Sequence, residues 1–183
     1  MIRKNGYSIG AEIGCANGDT TGRLLVNCPK LFLYAVDRWE PIVKADQVKD
    51  LVNGRLIDDQ GQMAGCENWN PVDGWRKFCK AVEPNLNRVQ ILKGDSVEMA
   101  AYVDDKSLDF VFIDADHRYE GVLRDIKAWA PKVKDDGIIT GHDYEQPRFP
   151  GVCKAVHEMF TEVNEAGVDW IWFAKPEDYV HRS

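Results

Sequence analysis

The chain has 183 residues, a formal net charge of −7, 44% hydrophobic and 29% charged residues, the profile of one globular domain, too apolar for a disordered chain and without the basic balance of a protein that grips nucleic acid. No apolar run approaches the roughly 20 residues of a membrane helix, and the basic Arg3-Lys4 is not followed by the apolar core of a secretory signal. Five cysteines without a C-x-x-C pair predict reduced thiols and a cytoplasmic setting and count against a disulfide framework or zinc knuckle.

In chain order, short apolar runs alternate with amphipathic segments. Ser8 to Gly14 predicts a strand ending in glycine, Thr20 to Val26 a helix, and Leu31 to Val36 a second strand stopped by Asp37. Trp75 to Val82 puts Trp75, Phe78, Cys79 and Val82 on one helical face. Val89 to Leu92 predicts a third strand, Ser96 to Tyr102 a short helix, and Leu108 to Ile113 a fourth strand. Between Tyr119 and Trp129, Val122, Leu123, Ile126 and Trp129 recur at helical spacing. Pro131 to Gly137 predicts a break. A fifth strand at Ile138 to Thr140, a helix at Val152 to Phe160 and a last strand at Trp170 to Ala174 follow, with a further short strand within Thr161 to Gly167.

Alternating strands and helices with apolar strands predict an α/β fold, a parallel sheet covered on both faces. Glu40 to Asp73 is polar, contains glycines and lacks a period. A stretch that long inside one domain is expected to be functional, here an insertion that caps a substrate.

In a doubly wound sheet, ligands bind beyond the carboxyl ends of the strands. Glu12-Ile13-Gly14-Cys15-Ala16-Asn17-Gly18-Asp19-Thr20 follows the first strand. Its glycines allow close backbone approach, and Asp19, Thr20 and Thr21 are candidate caps of the next helix. A plain turn is the competing reading. Asp37 ends the second strand, where a carboxylate suits two ribose hydroxyls or simply meets solvent. Gly94-Asp95-Ser96 ends the third strand and serves as a ligand contact or a helix cap. The first loop lacks the third glycine of a dinucleotide fingerprint, and its carboxylates Glu12 and Asp19 would repel a pyrophosphate but suit a cationic ligand such as an amino-acid ammonium or a sulfonium.

With Ala35-Val36-Asp37, Phe112-Ile113-Asp114-Ala115-Asp116-His117 and Gly137-Ile138-Ile139-Thr140-Gly141-His142-Asp143-Tyr144 added, the ordered set resembles class I S-adenosylmethionine-dependent methyltransferases. It is most similar to the small O-methyltransferase branch of antibiotic-tailoring and catechol or caffeoyl-CoA enzymes. The resemblance runs from about Ala11 to about Trp172. It implies a Rossmann-like doubly wound sheet of seven strands, mostly parallel with an antiparallel edge strand. It also implies a cofactor site of Glu12, Gly14, Cys15, Gly18, Thr20, Asp37, Arg38, Asp95, Ser96 and Asp114, with Arg38 and Trp39 available to stack on the base.

The same resemblance implies a divalent metal, Mg²⁺ or Mn²⁺, on Asp114 and Asp143, with His142 standing where relatives carry an oxygen ligand. Imidazole is softer than Mg²⁺ prefers, which favours Mn²⁺, Fe²⁺ or Zn²⁺ or a metal-free role for His142. His117 is expected to act as general base near an imidazole's ordinary value of about 6.5, or else to cap the next helix. His157 and His181 read as structural or solvated. The acceptor is expected to be a small hydroxylated metabolite, with Arg148 available to an anionic group. Neither nucleic acid nor membrane is an expected partner, and a homo-oligomer is compatible with the sequence. Two rival readings remain open at this point: a nucleotide-dependent Rossmann oxidoreductase, and a non-catalytic protein that keeps the adenosylmethionine fold.

Overall fold

A computed structural model describes residues 2–40, 50–52, 55–57, 70–167 and 170–180. A short helix α1 (Ile2–Asn5) leads into β1 (Ile9–Ile13), α2 (Asp19–Asn27) and β2 (Phe32–Asp37). Two three-residue strands, β3 (Asp50–Val52) and β4 (Arg55–Ile57), pair with each other, antiparallel. Then come α3 (Pro71–Val82), β5 (Val89–Lys93), α4 (Ser96–Met99), β6 (Leu108–Ile113), α5 (Tyr119–Trp129) and β7 (Val133–Gly141). The chain continues through α6 (Pro150–Met159), β8 (Asn164–Glu165) and β9 (Trp172–Ala174).

Seven strands form one sheet in the order β5-β2-β1-β6-β7-β9-β8. The first five are mutually parallel, and antiparallel pairing is confined to the β7–β9 and β9–β8 contacts at one edge. The seven-stranded, mostly parallel α/β sheet is the one implied by the resemblance. Alternation along the strands sorts the core into two layers. Leu33, Ala35 and Phe110 face Leu25 of α2 and Phe78 and Val82 of α3. Val36, Val111 and Ile113 face Val122, Ile126 and Trp129 of α5 and Val152, Ala155 and Met159 of α6. Gly10 admits the Phe110 ring between them, since a Cβ there would stand 2.2 Å from it.

Most boundaries shift by one or two residues, the last strand for instance starting at Trp172 and not Trp170, and three differ more. β7 begins at Val133, inside the expected break, because its register against β6 jumps from Leu108–Val133 to Phe110–Ile138. The extra residues bulge outward and expose Asp135 and Asp136, so their polarity hides the strand. α3 starts at Pro71, ahead of Trp75, because the Asn70 side chain accepts from the Val72 and Asp73 amides. The expected helix from Ser96 to Tyr102 splits into α4 and a 3₁₀ turn over Ala100–Tyr102. Most of the 40–73 insertion, with its expected role as a cap, lies outside the described residues. Among the described residues, no helix is long and apolar enough to cross a membrane.

Candidate active site

Strand order reverses between β1 and β6: the chain winds outward through β2 and β5 on one side, then through β7 on the other. The carboxyl ends of β1 and β6 therefore border the crevice where such sheets bind ligands. Gly14 lies in this seam with φ 93°. A Cβ there would meet the Asp114 carbonyl oxygen at 2.2 Å, so only glycine lets the two strand ends come this close.

On the β1–β2 side the carboxylates are engaged by the fold. Glu12 is buried and accepts the Thr21 hydroxyl at 2.6 Å. Burial, opposed by that bond and reinforced by the charges of Asp114 and Asp37, raises its pKa to about 8. Thr21 thus serves Glu12 and does not cap α2; Gly18 is the N-cap, at φ 80° and without a side-chain cap bond. Asp37 accepts the Ala16 amide at 2.8 Å and the Trp39 amide at 2.7 Å, one on each oxygen. Burial raises its pKa against these bonds. The Trp39 indole donates to the Ala16 carbonyl at 2.9 Å and meets the Trp75 ring edge-on at 4.7 Å. Trp39 is therefore buried as a strut of the loop. Cys15 is buried too, and burial raises its thiol pKa.

Arg38 stands 3.8 Å from Asp95, which also pairs with Arg124 at 3.2 Å and caps α4 through the Val97 amide. Arg38, Lys93, Gly94, Asp95 and Arg124 line an open cleft of about 760 Å³ beyond β2 and β5. Ser96 donates its hydroxyl to Asp125, a residue the sequence reading missed. Asp125 is buried on α5, and burial, opposed by the Ser96 bond, raises its pKa to about 7. The signal was present: an acid at the i+3 position of the Val122, Ile126, Trp129 stripe.

On the β6–β7 side, opposing charges crowd together. His117 Nε2 lies 2.6 Å from Asp143 Oδ2 and 3.4 Å from Asp114 Oδ1. His142 Nδ1 lies 3.2 Å from Asp143 and 3.9 Å from Asp114. Burial lowers the His117 pKa, but hydrogen bonds to Asp114 and Asp143 and their charges outweigh it and raise the value to about 9. That is well above the range expected of a base near neutrality. For His142 the bond to Asp143 raises the pKa, partly offset by burial. Burial would raise the Asp143 carboxyl, yet the two imidazoles hold it far below its ordinary value.

Asp143 has a left-handed backbone, φ 59°, that turns its side chain under the two histidines. Asp116 is committed elsewhere, accepting the Arg118 amide at 3.0 Å and pairing with its guanidinium. The His117 ring stacks on Phe149 at 4.3 Å. Gly151 makes this contact geometrically available, because a Cβ there would meet the Tyr119 amide at 2.5 Å and hold α6 away. Phe149 lies 32 residues from His117 in sequence, and no local pattern announces the pair.

Asp114, His117 and Asp143 each offer one donor atom, all within 4.8 Å of one another. The sequence reading grouped Asp114 and Asp143 with His142. The structure brings His117 to the same two carboxylates, and His142 Nδ1 also lies beside them. Two carboxylates and an imidazole are a donor set that suits Mn²⁺, which accepts imidazole more readily, better than Mg²⁺.

This sheet, glycine loop and strand-end site define a doubly wound α/β architecture with a ligand crevice where the strand order reverses. A family model described as a methyltransferase domain matches residues 11–144, and the chain belongs to that family. No curated protein matches it in sequence. Among solved structures it is similar to the O-methyltransferase NovP, at 16% identity over 95% of this chain and 74% of that one, with a TM-score of 0.64. It is also similar to cofactor-bound Rv0187 from MTB, at 12% identity over 96% and 75%, TM-score 0.63. Calicheamicin methyltransferase CalS11 matches at 15% identity over 92% and 72%, TM-score 0.60. The enzyme is a methyltransferase with the S-adenosylmethionine fold. The loop from Gly14 to Gly18 and the cleft lined by Arg38, Lys93, Gly94, Asp95 and Arg124 lie at the carboxyl-end side of this sheet.

Proposed function

We propose that this enzyme methylates a hydroxyl oxygen of a small acceptor, using a divalent cation held by Asp114, His117 and Asp143. The observation that carries this reading is the convergence of those three donors within 4.8 Å at the ends of β6 and β7. His117 gives up its proton when a cation binds there, and the cation supplies Lewis acidity that lowers the acceptor hydroxyl's pKa.

The protein's own residues do the rest. The two carboxylates supply the negative charge that both a cation and a sulfonium require. The Gly14 seam brings the end of β1 against Asp114, so cofactor loop and donor trio share one crevice. Transfer from an already activated sulfonium depends mainly on alignment, which the stacked Phe149 serves by fixing the His117 ring plane. His142, about one-third exposed on the rim, is the imidazole placed to take the acceptor's proton. Exposed Arg148, on the loop that follows, suits an anionic group on the acceptor. The similarity to NovP, an O-methyltransferase, and to CalS11, whose apo structure is described as that of a TDP-rhamnose 3′-O-methyltransferase, supports oxygen as the acceptor atom.

Calorimetric titration with S-adenosylhomocysteine, followed by a Mn²⁺ titration of the complex, tests the reading. Saturable binding of both, with NADH silent, is the expected result. A protein that binds S-adenosylhomocysteine but ignores Mn²⁺, Mg²⁺ and Zn²⁺ would remove the cation from the proposal.

A further inference from the structure

Asp125 breaks an otherwise apolar stripe. On α5 it sits among Val122, Ile126 and Trp129, all buried, and is itself only 4% exposed. A carboxyl in such a place opposes folding, so its presence points to a task other than packing. Ser96 donates its hydroxyl to Asp125, and the charges of Asp116, Arg124 and Asp95 act on it from nearby. Arg124 does not neutralise it, because that guanidinium is aimed at Asp95.

The Ser96 bond is one of three ties, among the described residues, between α5 and the turn that ends β5. The Trp129 indole donates to the Ser96 carbonyl at 3.1 Å, and the Arg124 guanidinium reaches Asp95 at 3.2 Å. One helix thus grips two consecutive residues of the turn. Their neighbour Gly94 donates its amide to the Asp37 carbonyl at 3.0 Å, which joins the turn to the end of β2. Gly94, Asp95 and Val97 line the cleft beyond β2 and β5, while the Ser96 hydroxyl between them turns away to α5. A ligand held at the carboxyl ends of these strands meets that wall.

We propose that Asp125 is a positioning residue for the cofactor: by anchoring Ser96 from α5 it holds Gly94, Asp95 and Val97 as one wall of the cleft that receives S-adenosylmethionine. Asp125 does not line the cleft and acts through Ser96 alone. The assignment rests on the cofactor entering this cleft and is independent of the cation on the Asp114–His117–Asp143 trio.

The test is calorimetric titration of S-adenosylhomocysteine into the full chain and its variants at pH 7, with a melting curve for each. Asp125→Ala should weaken affinity about tenfold, the scale of one lost buried hydrogen bond. Ser96→Ala should show the same loss, and the double variant should bind no more weakly than either single one, because both changes undo a single tie. Asp125→Asn keeps an acceptor oxygen for the Ser96 hydroxyl and should bind within about twofold of the parent. A merely structural carboxyl would change melting across this set and leave the affinity of the folded proteins alone. Full affinity in folded Asp125→Ala, or losses that simply add in the double variant, overturns the assignment. Mn²⁺ affinity should be equal in the parent and Asp125→Ala. A parent that ignores Mn²⁺ while the S-adenosylhomocysteine losses appear as stated would refute the cation and keep the positioning role.

Discussion

The two halves of the crevice treat their carboxylates in opposite ways. On the β1–β2 side, Glu12 and Asp37 are satisfied by the fold itself, by a hydroxyl at 2.6 Å and by two amides at 2.8 and 2.7 Å. On the β6–β7 side, Asp114, Asp143, His117 and His142 satisfy one another only by crowding charge into contacts between 2.6 and 3.9 Å. The first arrangement shapes a loop around a ligand. The second concentrates ionisable donors whose protonation depends on their neighbours, a state associated with chemistry more than with stability.

The largest effect should come from breaking the crowded half. Asp143→Asn removes an anionic donor from the trio and should reduce Mn²⁺ affinity and turnover by at least about 100-fold. Because both imidazoles lose their closest anion, proton NMR of the variant should also show their ring signals shifting. A variant that binds Mn²⁺ as tightly as the parent would show that the trio is only an ion-pair cluster.

Next in size is the core beneath both halves. Trp129 is fully buried, its indole donating to the Ser96 carbonyl at 3.1 Å. Trp129→Ala should cost about 3–5 kcal/mol of folding stability, measured by urea denaturation. On the satisfied half, Asp37→Ala leaves the Ala16 and Trp39 amides without their acceptor. Each orphaned amide costs about 1–3 kcal/mol, so calorimetry should find S-adenosylhomocysteine affinity down about tenfold and melting lowered as well. Lowered melting with unchanged affinity would assign Asp37 to the loop alone.

A pH-dependent effect concerns Asp125, whose folded pKa of about 7 exceeds its ordinary 3.8. Below pH 3.8 the acid is protonated in both states, and its contribution to stability is complete. As pH rises toward 7 the unfolded chain is ionised while the folded one still holds its proton, so stability falls, by at most about 1.4 kcal/mol per pH unit. Asp125→Asn should therefore gain on the parent in melting temperature between pH 4 and pH 7 and keep a constant lead above it. A constant difference across the whole range would mean that Asp125 ionises normally.

How legible this was in the sequence follows the same division. Strands such as Leu108–Ile113 were readable because both faces are buried and the run is almost wholly apolar. The start of β7 was hidden because its bulge turns Lys134, Asp135 and Asp136 outward, and the start of α3 because the Asn70-Pro71 cap precedes the apolar stripe. In the site, its position at a strand end named Asp37, whereas Asp114 and Asp143 came from the resemblance to the catechol branch. Which of the adjacent His142 and Asp143 turns inward depended on a left-handed φ at Asp143, and adjacent residues of a strand-like pattern carry no such information. His117 joined the trio through a turn that folds three residues back on Asp114, and Phe149 reached it only through the packing of α6 on α5.

The most direct test of the central claim is a Mn²⁺ titration followed by electron paramagnetic resonance, on the parent and on Asp143→Asn, each saturated with S-adenosylhomocysteine. One tight Mn²⁺ site in the parent, absent from the variant, is the predicted result. No stoichiometric Mn²⁺ binding by the parent, with S-adenosylhomocysteine demonstrably bound, would contradict it.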